Sequence, residues 1–516
     1  MQVKERRTAH HQPERKPTAM RAASPCSRLV VALVVLNAFA ALKGAVSPEE
    51  LAEVRQWSAA RLAGAARAQP VEPGLWVLAG TELWDRISFH GMQAMLVLYM
   101  TGDLLLDRGR TASILGFGAY RRALEAVVGP LSDTVIATQT FGLYLAFVTG
   151  LPLLGGLIGD KLTGRRLAVG LGAGLMTLGH FCMTFDATFL FALVFLMLGA
   201  GLLRGNLGAQ VRSLYQPGDP REINAFQYYG MSVSIGGFIA PIVSGAVAAV
   251  WGWHAGFGVA GFGMLIGLVV YLWGGKFLPP QARLPASAVV ATRQKLDPAA
   301  RRRIVGLLLI WPFAVCFWIA QAQVWNIYNV WLRDHVDMNL GGFAVPVPWM
   351  QSLDGLAPTV LTFASLWAWG RMAKASGEPM PLGKMAAGMM IFGAGVALLA
   401  FAPIIPGAGG KASLVIPVLF HLVSNLGWVW FAPVSTALFA TRAPDSWRGT
   451  LMGVNSLSIA AGSMVSGGMG ALYERIPASS FWLIVAAICA GGGLVLLLTR
   501  PLFERLLALD PAPEPA

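Results

Sequence analysis

Apolar runs of about 20 residues recur along almost the whole chain, and each is long enough to cross a hydrocarbon core. Polar breaks divide the pattern into twelve predicted helical spans, at 75–101, 136–158, 166–184, 188–212, 224–250, 255–278, 304–332, 347–373, 382–403, 412–440, 449–472 and 480–500. The break between the sixth and seventh spans differs in kind. There "LPPQARLPASAVVATRQKLDPAARRR" is rich in proline and basic residues and holds no apolar run. It predicts a linker at 279–303 between two six-helix bundles, 75–278 and 304–500, with a tail at 501–516. Two bundles with a site between them suit alternating access, because rocking one against the other exposes the site to each side in turn.

Residues 1–74 fit this pattern less simply. A basic start followed by the apolar run Leu29 to Leu42 has the proportions of a signal peptide. A multispanning protein inserts without one, so the segment is expected to be an N-terminal cytoplasmic extension, a short interfacial helix, or a start placed too far upstream.

Composition moves the reading further from water. Of 516 residues, 55% are hydrophobic and 13% charged, against about 25% charged in a soluble domain, and the mean hydropathy is +0.60. The net charge of +13 is unevenly placed. Lys and Arg crowd the first 28 residues, the loop from Lys161 to Arg166, the stretch 276–303 and the loops near Arg371 and Lys384, alternating with charge-poor loops. This is the positive-inside pattern. With an even number of spans it places both termini in the cytoplasm and makes the protein multi-pass in the inner (plasma) membrane. No basic stretch carries interleaved aromatics in a soluble domain, which excludes nucleic acid as a partner. Cys26, Cys182, Cys316 and Cys489 have no metal-ligand spacing, and three of them sit inside apolar runs as small packing residues.

Charges at bilayer depth cost about 2.5 to 3.5 kcal/mol even on lenient scales, so those retained mark a job. The first span, "GTELWDRISFHGMQAMLVLYM", carries Glu82, Asp85 and Arg86 at i, i+3 and i+4, all on one helix face. One reading is a buried salt bridge holding the fold. The other follows from two acids beside one arginine: a carboxylate is left in excess, and its proton affinity responds to the state of the site. Arg204 is an isolated cation on the fourth span and needs an anionic partner. The cores of the seventh and tenth spans hold no carboxylate, so the partner is Glu82, Asp85 or a substrate carboxylate. Asn206, Gln321, Gln323, Asn326, Gln351 and Asn425 are polar candidates, each singly as well explained as helix-to-helix glue. His90 and His421 titrate near neutral pH when unperturbed. No phosphate loop, zincin pair or G-x-S-x-G elbow occurs. The chain is therefore expected to be no enzyme and to need no cofactor or metal, with its energy drawn from a gradient.

Three further stretches carry a resemblance. "PLLGGLIGDKLTGRR" (Pro152 to Arg166) resembles the signature loop of the major facilitator superfamily, with Asp160 at a tight turn and Lys161, Arg165 and Arg166 as its basic residues. The first-span cluster resembles the E-x-x-E-R motif of the proton-coupled oligopeptide transporters, with Asp85 in place of the second Glu. "NAFQYYGMSVSIGGFIAP" (Asn224 to Pro241) and "PVPWMQSLDGLAP" (Pro346 to Pro358) resemble that family's fifth- and eighth-span segments. The resemblance covers about residues 75–500. It implies an all-α major facilitator fold of 12 transmembrane helices in two six-helix bundles, a monomer surrounded by lipid bilayer, and symport of protons with di- or tripeptides into the cytoplasm.

Carried over residue by residue, proton coupling falls on Glu82, Asp85 and Arg86, and carboxylate binding on Arg204. The conformational loop is Asp160, Lys161, Arg165 and Arg166. The candidate substrate-binding set is Arg204, Gln93, His90, Asn206, Ser234, Gln321, Trp325, Gln351 and Trp428. Several of these depart from the family pattern: Gln93 stands at a usual basic residue, Phe89 and His90 at paired tyrosines, and Gly230 and Ser234 at a Tyr and an Asn. The seventh-span Glu aligns with Ala320, and the tenth-span Glu that holds the peptide amine aligns with Trp428. An ammonium in a low-dielectric cavity needs an anionic or aromatic partner. Trp428, with Trp325 or Trp430, offers a cation-π face worth about 0.5 to 2 kcal/mol. The expectation is a pocket that recognises a carboxylate and has lost strict recognition of a free amine. Alternatives left open are an amino acid, modified peptide or other organic anion as cargo, or a non-transporting membrane receptor.

Overall fold

The computed structural model describes residues 71–216, 219, 221–279, 296–376 and 380–507. Among these, twelve long helices follow one another, the shortest of 18 residues. The first six are α1 (Pro73–Tyr99), α2 (Asp133–Ile158), α3 (Arg165–Cys182), α4 (Phe189–Arg212), α5 (Arg221–Trp251) and α6 (Trp253–Gly274). The second six are α7 (Pro298–Trp325), α8 (Leu353–Ser376), α9 (Pro381–Ala400), α10 (Val415–Arg442), α11 (Arg448–Gly468) and α12 (Ala478–Leu507). By length and composition, eight of them are apolar enough to cross a membrane: α2, α4, α5, α6, α7, α9, α10 and α12. The first helix departs from that composition through Glu82, Asp85 and Arg86, the residues that give it chemistry.

Helix starts follow local rules. Proline opens α1, α7 and α9, where its fixed φ suits the first turn and its missing N–H is no loss. Ser132 caps α2 by accepting from the Val135 nitrogen at 3.2 Å. Between α5 and α6 the turn is a single residue, Gly252, at φ 85°, a conformation that favours glycine.

Each set of six helices has its own apolar core, one around Phe141, Phe189 and Phe257, the other around Phe317, Phe392 and Phe431. In the first set, α1 packs on α5 and α6, α4 on α2 and α3, and α3 on α6. In the second, α7 packs on α11 and α12, α10 on α8 and α9, and α9 on α12. The second pattern is the first moved on by six helices, the arrangement of parallel repeats related by an axis along the membrane normal. The two sets meet at α2 against α11 and α5 against α8, and these two contacts exchange under the same shift.

Small residues let the helices cross closely, as in other membrane bundles. A Cβ on Gly155 of α2 would lie 2.0 Å from the Gly201 carbonyl oxygen of α4. Across the bundle interface, a Cβ on Gly355 of α8 would lie 2.3 Å from the Phe238 nitrogen of α5.

Several elements differ from the sequence reading. The predicted seventh span, 304–332, breaks at Asn326 (φ −109°, ψ −104°) into α7 and a short helix Ile327–His335. The eighth begins with a 3-10 turn, Val347–Ser352, before α8. Helix α12 runs on to Leu507, into the stretch read as a tail. Two short helices between α1 and α2, Arg108–Ser113 and Phe117–Val128, were not predicted, because neither has a span-length apolar run. Most of the expected N-terminal extension, most of the linker and the last nine residues lie outside the described residues.

Candidate functional site

The charged face of α1 points to the middle of the first bundle, and α4 and α5 complete it. Glu82 and Asp85 are fully buried. Arg86 Nε donates to Glu82 Oε1 at 2.7 Å and lies 3.8 Å from Asp85 Oδ2. Arg204 holds Asp85 with two donors, Nε to Oδ2 at 2.9 Å and Nη2 to Oδ1 at 3.2 Å, the fork geometry that lysine lacks. Tyr229 of α5 donates to Glu82 Oε2 at 2.5 Å. The expected excess carboxylate is therefore absent: Arg204 brings the cluster to two acids and two arginines. Phe89 adds a ring face 4.1 Å below the Arg204 guanidinium, a cation-π contact.

A cavity of about 390 Å³ lies between the two bundles. Arg86 and Arg204 line its first wall, so the arginines face the cavity and their acids stand behind them. His90, Gln93 and Ser234 also line it, as do Gln321, Trp325, Gln351 and Trp428 from the second half. His90 Nδ1 is 3.2 Å from Gln93 Oε1. Gln351 donates to the Val324 carbonyl at 2.7 Å and to Asn329 Oδ1 at 2.8 Å, bracing the break in the seventh span.

Asn206, taken as a substrate contact, is corrected: its amide donates to the Gly155 and Leu202 carbonyls, both at 2.8 Å, and ties α4 to α2 away from the cavity lining. Trp430 turns to Ser365 at 3.0 Å and to the Trp369 ring, and is likewise absent from the lining. Asp160, Lys161, Arg165 and Arg166 form the α2–α3 turn, where Arg165 Nε pairs with Asp160 Oδ1 at 2.6 Å. They sit at the end of the bundles where α1 begins, remote from the substrate set.

The residue that sequence reasoning missed is Asp354. It lies at the start of α8 and lines the second wall of the cavity. Asn425, Trp325 and His421 all reach its carboxylate. The signal was available, since Asp354 is the lone acid of an apolar span, the same observation that singled out Arg204. Tyr229 was missed as well, because a buried tyrosine has no sequence mark of its acid partner.

Among the described residues, hydrogen bonds join the bundles at the end where α1 finishes and α2 starts. Ser132 donates to Glu474 at 2.7 Å, Thr138 to the Gly467 carbonyl at 3.2 Å and Asn326 to the Thr138 carbonyl at 3.3 Å. Arg333 donates to Thr101 at 3.0 Å and Trp349 to the Ile242 carbonyl at 3.0 Å.

A central cavity between two repeated six-helix sets, sealed at one end, defines a membrane transporter of the major facilitator type. Solved structures agree. The crystal structure of a peptide transporter POT in complex with sulfate is similar at TM-score 0.71 and 24% identity, covering 84% of this chain and 95% of that one. A POT family transporter in complex with a thioalcohol-conjugated peptide gives 0.70 at 23%, covering 83% and 96%. Peptide transporter YePEPT of Yersinia enterocolitica is 26% identical over 460 residues, 76% of this chain and 86% of the relative. A di-/tripeptide transporter of Lactococcus lactis subsp. cremoris is 23% identical over 498 residues, with 84% and 96% covered. Residues 166–285 and 281–485 match the POT family, and the chain belongs to that family of peptide transporters.

Proposed function

We propose that this chain is a symporter that carries protons with di- or tripeptides, or peptide-like carboxylates, into the cytoplasm by alternating access. The observation that carries the reading is the layering of the first wall: two arginines at the cavity surface, each held by a buried acid. A substrate carboxylate that docks on Arg204 or Arg86 competes with Asp85 or Glu82 for its donors. The acid that loses its counter-charge takes up a proton, because a lone carboxylate disfavours ionisation in a low-dielectric site. Proton and substrate then favour each other's binding, as symport needs, and the coupling is reciprocal.

The bundles 75–278 and 304–500 are read as the two moving bodies, with 279–303 as the cytoplasmic connection and Asp160, Lys161, Arg165 and Arg166 as the loop that changes contacts between states. The sealed end is read as extracellular and the end bearing the termini as cytoplasmic in the plasma membrane. A single chain encloses the cavity, which supports a monomer as the working unit. A solved POT family structure in complex with 5-aminolevulinic acid is also similar, so small amino acids belong in the substrate panel. The test is uptake of labelled dialanine into liposomes under an inward proton gradient. Wild type is expected to concentrate the peptide, whereas Glu82→Gln exchanges it without concentrating it. Equal accumulation by the mutant rejects the coupling assignment, and no uptake by wild type rejects the peptide reading.

A further inference from the structure

The second wall of the cavity is built differently from the first. Asp354 Oδ1 accepts from Asn425 Nδ2 at 2.8 Å and lies 2.8 Å from His421 Nδ1, while Oδ2 accepts from Trp325 Nε1 at 3.2 Å. A carboxylate offers about four acceptor positions, so both on Oδ1 are filled and one on Oδ2 is left. The Asp354 side chain keeps 16% of its surface open, and it lines the cavity. A position remains for a donor that arrives through the cavity.

The three donors that hold this carboxylate bring no charge to it. Asn425 gives an amide N–H and Trp325 an indole N–H. His421 is fully buried against the rings of Phe420 and Tyr328, at centroid distances of 5.1 and 5.3 Å. Its Nε2 has no partner among the described residues. A proton there would be a buried donor without an acceptor, on a cation in an apolar wall, and both cost free energy. The tautomer with its proton on Nδ1 avoids both and donates to Asp354 as a neutral ring. Glu82 and Asp85, by contrast, are each held by an arginine. From α5 and α11 the cavity receives Val233, Ser234 and Ile459, none charged. Lys384 of α9 lies over the Trp369 ring, several turns along α8 from Asp354. Arg86, His90 and Arg204 face the cavity from the opposite wall, both arginines engaged by acids of their own. Asp354 is thus a negative charge that its own wall orients without balancing.

We propose that Asp354 receives the ammonium at the amino end of a peptide, as the counterpart of the arginines that receive its carboxylate. The inference rests on the reading of the cargo as a carboxylate-bearing peptide. An ammonium entering a low-dielectric cavity needs an anion. Asp354 supplies one already fixed by three hydrogen bonds, so little ordering is left to the moment of binding. A zwitterionic peptide then spans the cavity with one end on each bundle. His421 stays neutral in the empty and the loaded cavity, so the amine displaces no proton, and the proton taken up at Glu82 or Asp85 remains the one carried. Amine recognition, expected from Ala320 and Trp428 to be lost, is here moved to α8.

The experiment measures binding of three ligands to purified full-length protein at about pH 6.5, where a peptide amine is protonated. They are dialanine, propionyl-alanine with a hydrogen in place of the ammonium, and N-trimethylated dialanine, which keeps the charge without an N–H. All share the carboxylate, so affinity ratios isolate the amine. In wild type dialanine is expected to bind about ten- to a hundredfold tighter than propionyl-alanine, the range for a hydrogen bond to a charged group, and the trimethylated peptide to lose most of that advantage. Asp354→Asn is expected to bring dialanine and propionyl-alanine to nearly equal affinity while binding propionyl-alanine as wild type does, which also shows that it has folded. Proton uptake on binding, read in weakly buffered solution, is expected to be equal for dialanine and propionyl-alanine. Equal affinities in wild type, or a preference for dialanine that survives in Asp354→Asn, overturn the acceptor. A trimethylated peptide that binds wild type as tightly as dialanine overturns it in favour of the Trp428 ring face, which holds quaternary ammonium groups without an N–H. Uptake smaller by one proton for dialanine overturns the neutral His421 and the charge assignment built on it. If wild type binds none of the three, the peptide reading itself is wrong and this inference falls with it.

Discussion

Arg204 is held at its place by a partner with few other options. Asp85 is fully buried, its two oxygens take both Arg204 donors, and Arg86 stands off at 3.8 Å. Removing one member of a buried pair leaves an uncompensated charge and costs about 3 to 5 kcal/mol, whereas removing both is far milder. Arg204→Ala is therefore expected to lower the thermal unfolding temperature in detergent markedly, and the double change Asp85→Asn with Arg204→Gln to recover most of the loss. A single mutant as stable as wild type would show that the pair is not closed in solution. Much of this cluster was legible, since the spacing of Glu82, Asp85 and Arg86 fixes a shared helix face and an isolated Arg204 demands an acid. The second wall was not, because the search for acids went to the spans where the family keeps them. A chain that moves its acid to α8 defeats a reading by alignment but not one by burial. Asn206 misled for the reverse reason: an amide on an apolar helix looks the same in sequence whether it faces a cavity or a neighbouring helix.

Between elements, the α5–α8 crossing is a point where the backbones of the two bundles come close. The Gly355 position leaves no room for a side chain, since a Cβ there would sit 2.3 Å from the Phe238 nitrogen and 2.6 Å from the Gly237 carbonyl carbon. Gly355→Val is expected to push the sealed end apart and raise the population of the state open at that end. The change can be read as longer distances between spin labels at the exposed positions Val250 and Leu340, together with slower uptake. An unchanged distance distribution would mean that the crossing does not set the balance between states. Long helices of this kind are read well from sequence, because hydropathy registers length. A break at Asn326 is not, since a kink of one residue in an apolar run leaves the hydropathy profile intact. The helices Arg108–Ser113 and Phe117–Val128 escape for a related reason, being too short and too polar to register as spans.

For the molecule as a whole, the shift of six helices that maps one half onto the other places unlike chemistry on like scaffolds: a cationic wall on α1 and α4, an anionic one on α8 and α10. The balanced cluster behind the cationic wall has an electrical consequence. Glu82 and Asp85 cancel Arg86 and Arg204, so this half of the carrier, when empty, swings through the membrane field without moving net charge. Under the proposed symport the loaded carrier is different, because a zwitterionic peptide carried with one proton brings a single positive charge. Each elementary charge gains about 2.3 kcal/mol per 100 mV. For this half of the carrier, voltage should therefore pull the loaded stroke and leave the return stroke indifferent. An inside-negative potassium diffusion potential, with equal pH on both sides, is expected to drive dialanine accumulation and an inward current. A current that vanishes at equal pH would mean that the empty carrier brings a charge back with it.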